Sequence, residues 1–197
     1  MNLIKLDAID STNDFLKGIS QLSTTQNFTV VTAENQTNGK GQMGSKWESE
    51  SGMNLIFSIL LKNELKHIDQ IFELNVLVAW SLFETFLHYK IPEVTIKWPN
   101  DIMSANKKLA GILIENVIKS DKNIDSIVGI GINVNQTEFE DLPKASSLKN
   151  CTNQDFDKNE ILIKFIEVFK ENIFQLGSEK IWNLYNQNLY KKGVLMP

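Results

Sequence analysis

The sequence predicts an α+β fold: a mixed, mostly antiparallel sheet flanked by helices. Three observations support this. Apolar and β-branched runs of strand length cluster together and do not alternate strictly with helices. Two long segments, 68–89 and 161–176, switch to a helical period. A polar KSDKN tract at 119–123 joins two strand-like runs, as a hairpin connection does. With helices and strands segregated, the sheet is expected to be covered on one face.

The elements follow in order. LIKLDAI (3–9) is apolar-rich and partly alternating, so it reads as a strand. In DSTNDFLKGISQ, Ser11 or Thr12 can cap a helix, with Asp14 in its first turn. FTVVTAE (28–34) is β-branched and reads as a second strand. NLIFSILLK (54–62) is a nearly continuous apolar run, the mark of a buried strand. From 68 to 89, residues such as Ile71, Val76, Leu82 and Phe86 form one helical stripe. Val78 and Trp80 lie off it, so this helix is expected to be buried on more than one face, and Pro92 marks its end. EVTIKW (93–98) is a strand that runs into Pro99, after which Asn100 and Asp101 are expected to open a turn. KLAGILIENVI (108–118) and IDSIVGIGINVN (124–135) are strands. Residues 138–153 are polar and irregular. An amphipathic helix at 161–176 and a last helix over about 178–190 complete the chain. Val194, Leu195 and Met196 look like the start of a further strand.

Composition narrows the functional classes. The 197 residues are 42% hydrophobic, which suits one domain of ordinary size that builds a core without metals or disulfides. A net charge of −4 excludes a globally basic surface for nucleic acid. All twenty basic side chains are lysine, so bidentate guanidinium clamps are unavailable. Anions must be held by ammonium and backbone N–H groups. Cys151 is the single cysteine, which fits a reducing, cytoplasmic setting. The N-terminus lacks a signal-like apolar region, and no segment reaches the roughly 20 apolar residues of a membrane span. With His67 and His88 the only histidines, no metal ligand set is assigned.

The stretch QTNGKGQMGSKW (36–47) carries Gly39, Gly41 and Gly44, Lys40 and Lys46, no acid, and Trp47. N–H groups of a glycine-rich turn can converge on an anion, and a tryptophan offers a flat face for a purine or another apolar body. The loop is not a P-loop, because it leads into a strand, and it lacks the dinucleotide spacing. Taken alone, it also fits a flexible surface loop. KWPND (97–101) places Lys97 at a strand end, poised to meet an anion, or simply solvated there. Gly111 in KKLAGILIE and Gly129 and Gly131 in GIGINVN mark a close approach to the strands, by a ligand or by tight packing.

Together and in this order, DSTN (10–13), GKGQMGSKW (39–47), KWPND (97–101), KLAGIL (108–113) and GIGINVN (129–135) resemble the catalytic domain of bacterial biotin protein ligases. The resemblance implies the class II synthetase-like sheet shared with lipoate ligases. It implies that biotin and Mg²⁺–ATP give biotinyl-5′-AMP, and that a lysine of a biotin carboxyl carrier protein, from acetyl-CoA carboxylase or a related carboxylase, then takes the biotin. By the same resemblance, Ser11, Thr12, Asn13 and Gln36 would line the biotin pocket. Gly39, Lys40, Gly41 and Gln42 would wrap its carboxylate and the adenylate phosphate. Trp47 would stack on adenine, and Lys97 would bind the biotin carboxyl oxygen. Asp101 would orient the attacking lysine or the metal. Lys108 would contact the α-phosphate, Gly111 would let biotin lie against the strand, and Asn133 would sit near adenine.

Two departures stand out. Where the family pattern GRGRxGRxW has arginines, this chain has Lys40, Gln42 and Ser45. DSTN begins at residue 10, so no N-terminal DNA-binding domain and no DNA partner are expected. Residues 1–190 read as the catalytic domain, and 191–197 as the start of a small C-terminal SH3-like domain that is absent or truncated. Edge strands leave pairing into a homodimer open. Two rival readings stay in view: a lipoate or octanoate ligase on the same fold, and a biotin- or nucleotide-binding module without turnover.

Overall fold

The computed structural model describes residues 2–119, 123–140 and 142–191. Its seven strands are β1 (Asn2–Ile9), β2 (Thr29–Gln36), β3 (Leu55–Leu65), β4 (Val94–Lys97), β5 (Asp101–Ser104), β6 (Lys107–Ile118) and β7 (Ile124–Ile132). They form one sheet in the order β1-β2-β3-β7-β6-β5-β4. β1 and β2 are parallel, as a crossover through helix α1 (Thr12–Ile19) requires. Every other neighbouring pair is antiparallel. The fold is therefore the mixed, mostly antiparallel sheet that the sequence predicts.

The two-residue period of the strands sorts side chains between the faces. Val30, Phe57, Ile59, Val128 and Ile130 face the main core, with α2 (Gln70–His88) and α4 (Lys158–Asn172). On the other face, Val31, Leu60 and Ile127 pack against Leu16 of α1. The expectation of one covered face is thus incomplete. α1 covers part of the second face and leaves the rest of it for the site described below.

Eleven of the nineteen residues of α2 are buried, including Val78 and Trp80, so this helix is buried on more than one face as its pattern predicts. It is also long and apolar enough, by length and composition, to cross a membrane, contrary to the sequence expectation. Its place between the sheet and α4 accounts for that composition. Phe165 of α4 meets Phe57 edge-on at 5.4 Å and stacks on Phe169 at 5.7 Å, tying helix to sheet.

Local chemistry sets the helix ends. Ser11 caps α1 by accepting from the Asp14 N–H, and Ser178 caps α5 (Glu179–Gln187) by accepting from the Ile181 N–H. A short helix, α3 (Leu148–Thr152), capped by Ser147, falls within the tract read as irregular. Asp101 does not open a turn: the turn is at 98–100, and Asp101 begins β5. Beyond α5, the Ile96 N–H donates to Asn188 and the Tyr190 N–H donates to Ile96, so residues 188–190 cover the outer edge of β4. The Lys119 N–H closes the β6–β7 hairpin on the Asn123 carbonyl, while its tip, 120–122, lies outside the described residues. So do Val194, Leu195 and Met196.

Tyr185 of α5 is buried, and burial pushes its phenol up from 10.0 to about 12. A raised folded-state value means that the folded protein holds the proton more tightly than the unfolded chain. The associated stability is complete below pH 10 and is lost as pH rises towards 12. We expect the unfolding midpoint in denaturant to fall across that window, and Tyr185→Phe to flatten the fall.

Candidate active site

On the α1 face, at the N-terminal end of that helix, lies a cavity of about 310 Å³. Its floor exists because three positions on one face of β6 and β7 are glycine. Gly111 pairs with Gly131 across the strands, and Gly129 lies two residues along β7. A Cβ on Gly129 would sit 2.3 Å from the Asn13 amide oxygen. One on Gly131 would sit 2.4 Å from the Trp47 indole, and one on Gly111 would come within 3.1 Å of the Lys108 ammonium. At Gly129 and Gly131 the close approach is made by side chains from other motifs, Asn13 and Trp47; at Gly111 it is shared by Trp47 and by Lys108 of the same motif.

At one end of the cavity the DSTN segment builds a polar network. The Gln36 Oε1 accepts from the Thr12 N–H at 2.8 Å and lies 3.0 Å from the Thr12 hydroxyl. Ser58, fully buried on β3, lies 2.8 Å from the Thr12 hydroxyl and 2.6 Å from the Asn13 Oδ1. The Asn13 Nδ2 donates to the Glu115 carboxylate at 2.9 Å. Thr12 and Asn13 are almost wholly buried, so these bonds have little competition from water.

The glycine loop forms the opposite wall as a small hairpin of its own. Gly41 N–H donates to Ser45, and Trp47 N–H donates to Gly39. The tip residue Met43 is fully exposed with φ 54, and Gly44 follows with φ 78, a conformation glycine takes without strain. Lys40 reaches across to Asp14 of α1 at 2.6 Å, and that bond, with the negative charge of Asp14, raises the lysine above its ordinary value. The Gly41 N–H, spent inside the hairpin, is not free for an anion.

At the far end, Lys108 is the hub. Its ammonium lies 2.7 Å from the Asp101 carboxylate and 5.7 Å from the centre of the Trp47 ring. Behind Trp47 and Lys108 a second cavity of about 320 Å³ opens, walled by Lys46, Glu48, Asn133 and residues 142–145. The Lys108 N–H and carbonyl bond to Lys144 and Ser146, which fixes that wall. Asn133 is buried and donates to the Ser146 carbonyl.

The structure thus gathers Ser11, Thr12, Asn13, Gln36, Lys40, Gly41, Gln42, Trp47, Asp101, Lys108 and Gly111 around the first cavity. Asn133 lines only the second. Gly39 lines neither; it is buried beneath the Trp47 backbone, where a Cβ would come within 2.5 Å of the Trp47 carbonyl. Lys97 lines neither cavity. It is half-buried on β4, opposite Asp101 in register, one strand further from the cavity. Ser58, Glu115 and Asp14 belong to the site but carry no local sequence signal, since each is tied to it through a residue at least 26 positions away. Among the described residues, no cluster of three His, Cys, Asp or Glu side chains could hold a metal by itself.

The pattern of the biotin/lipoate A/B protein ligase family matches residues 6–135, a span that takes in every motif lining the first cavity. The chain belongs to this family. It is 30% identical over 175 residues to the bifunctional ligase/repressor BirA of Bacillus spizizenii, covering 86% of this chain and 53% of that protein. It is 27% identical over 149 residues to the biotin–[acetyl-CoA-carboxylase] ligase of Mycobacterium tuberculosis, covering 74% and 54% respectively. The chain therefore spans about half the length of these curated relatives. The Aquifex aeolicus biotin protein ligase, solved in complex with biotin and ATP, superposes with a TM-score of 0.81 at 32% identity, covering 95% of this chain and 78% of that one. The seven-stranded sheet with its flanking helices is the fold of this family.

Proposed function

We propose that this chain is a biotin–protein ligase: it condenses biotin with ATP to biotinyl-5′-AMP and pyrophosphate, then passes biotin to a carrier lysine. The observation that carries this reading is the pair of adjoining cavities that share Lys46, Trp47 and Lys108 as their dividing wall. One has a buried polar end that suits the ureido ring and a glycine floor for the body of biotin. The other takes the nucleotide against Trp47 and Asn133. Lipoate or octanoate would bring no N–H donor to the Thr12–Gln36 end, which favours biotin over both.

In the first step a biotin carboxylate oxygen attacks the α-phosphorus, and pyrophosphate leaves. Two anions must meet, so Lys108 and Lys40 stabilise the charge that builds there, with Lys97 approaching from β4. ATP brings Mg²⁺, which would neutralise phosphate charge. Asp101 can supply a single carboxylate, and a magnesium ion held mainly by phosphates asks for no more. In the second step a neutral amine attacks the acyl carbon and AMP departs. Asp101, at the cavity edge, is placed to take the amine's proton. The hairpin at 39–47 shields the mixed anhydride from water.

The acceptor is a biotin carboxyl carrier domain of acetyl-CoA carboxylase or a related carboxylase, in the cytoplasm. If two copies pair edge to edge, β1 is the available edge, because 188–190 covers β4. The test is ATP–pyrophosphate exchange with biotin, lipoate and octanoate in parallel. Exchange that depends on biotin alone supports the reading, and exchange driven equally by octanoate contradicts it.

Gln42 lines the first cavity and brings hydrogen bonds but no charge. Gln42→Arg is therefore expected to slow the escape of biotinyl-5′-AMP by about tenfold, the effect of one additional charge-assisted hydrogen bond. Equal release from both proteins, followed by rapid filtration, would refute this.

A further inference from the structure

The hydrogen bonds behind the DSTN segment run in one direction, and Glu115 sets that direction. The carboxylate of Glu115 and the carbonyl of Leu113 lie 2.9 and 3.4 Å from one end of the Asn13 amide. Both can only accept, so that end is the NH₂. The Asn13 carbonyl oxygen then faces Ser58 at 2.6 Å and must receive the Ser58 proton. Ser58 has one proton, so it has none for Thr12, 2.8 Å away. The Thr12 proton in turn has two acceptors on the protein, Ser58 Oγ and Gln36 Oε1. In either position it is spent within the protein.

From this we infer that Glu115 is a specificity-determining positioning residue: through Asn13 and Ser58 it makes the Thr12 hydroxyl a pure hydrogen-bond acceptor towards the ligand. Gln36 is fixed the opposite way. Its oxygen is held by Thr12, so its NH₂ remains as a donor. The polar end of the cavity thus accepts at Thr12 and donates at Gln36, which matches the adjacent N–H and C=O of a cyclic urea. Gly129 belongs to the device, because any side chain there would evict Asn13. This inference rests on the biotin reading and assigns a role to a residue remote from the DSTN and glycine-loop motifs.

The test is a double-mutant cycle on biotin affinity, measured by calorimetry, with a thermal melt of each protein to establish folding. Glu115→Ala is expected to weaken biotin binding about tenfold, roughly one hydrogen bond's worth. Glu115→Gln, whose side-chain carbonyl still accepts from Asn13, should bind within about threefold of the unsubstituted protein. In the Thr12→Val background, Glu115→Ala should cause no further loss, because the group it acts through is gone. Ser58→Ala cuts the chain in its middle. It should reproduce the Glu115→Ala loss and serves as the second arm if Thr12→Val does not fold. Additive losses in the double variant, or Glu115→Gln as weak as Glu115→Ala, would overturn the inference while leaving the ligase reading intact. An unsubstituted protein that binds no biotin overturns both.

Discussion

Lys108→Ala is expected to slow adenylate formation by about 10²- to 10³-fold, the usual cost of removing one preorganised charge from a transition state. Lys108 and Lys46 both line the two cavities, but Lys108 is the one whose ammonium lies over the Trp47 ring and stands 2.7 Å from Asp101. The reaction brings a carboxylate to a phosphate at that boundary, so the loss should fall on the chemical step more than on biotin binding. Single-turnover pyrophosphate release with saturating biotin and ATP measures it. Lys107, the preceding residue on β6, lines neither cavity and spends its ammonium on the Pro143 carbonyl, so Lys107→Ala should stay within about twofold. A Lys108→Ala protein that retains its rate would remove the lysine from the chemistry.

Gly131→Ala is expected to come next in severity. Its Cβ would stand 2.4 Å from the indole of Trp47, a separation that no packed pair of atoms tolerates. Trp47 must move, and overpacking of this kind costs about 1–3 kcal/mol. Because Trp47 divides the cavities, ATP affinity should fall at least about tenfold, together with the unfolding midpoint. Trp47→Ala in the same chain should recover the stability but not the ATP affinity. Gly18→Ala is the contrast: a Cβ there meets nothing within 4 Å, and in a helix the change should stabilise by about 0.5–1 kcal/mol. If Gly131→Ala binds ATP as the parent does, the indole is not part of the nucleotide site.

These variants show where the sequence was legible and where it was not. The nearly continuous apolar run of β3 and the period of 3.6 in α2 and α4 are written in neighbouring residues, so those elements can be read directly. Asp101–Ser104 cannot, because four residues after a Pro-Asn turn give no period, and β5 exists through its pairing with β4 and β6. The five residues of α3 are hidden in the same way inside a polar tract. Glycines at 129 and 131 announce close approach, but what approaches them comes from Asn13 and Trp47, far away along the chain. No local pattern names such partners. The same holds for Ser58 and Glu115, an ordinary strand serine and an apparent surface acid until the sheet brings them to Asn13. Lys97 is the reverse case: its motif is plain in sequence, while the fold sets it one strand outside the cavity, opposite Asp101.

If these residues make and hold a biotinyl adenylate, the compound itself should be found. Mass spectrometry of the protein mixed with biotin, ATP and Mg²⁺ looks for biotinyl-5′-AMP without any coupled step. An adenylate is expected with biotin, none with lipoate or octanoate, and its loss is expected in Lys108→Ala. An adenylate formed equally with octanoate, or none with any acid from a protein that is folded, would contradict the ligase reading.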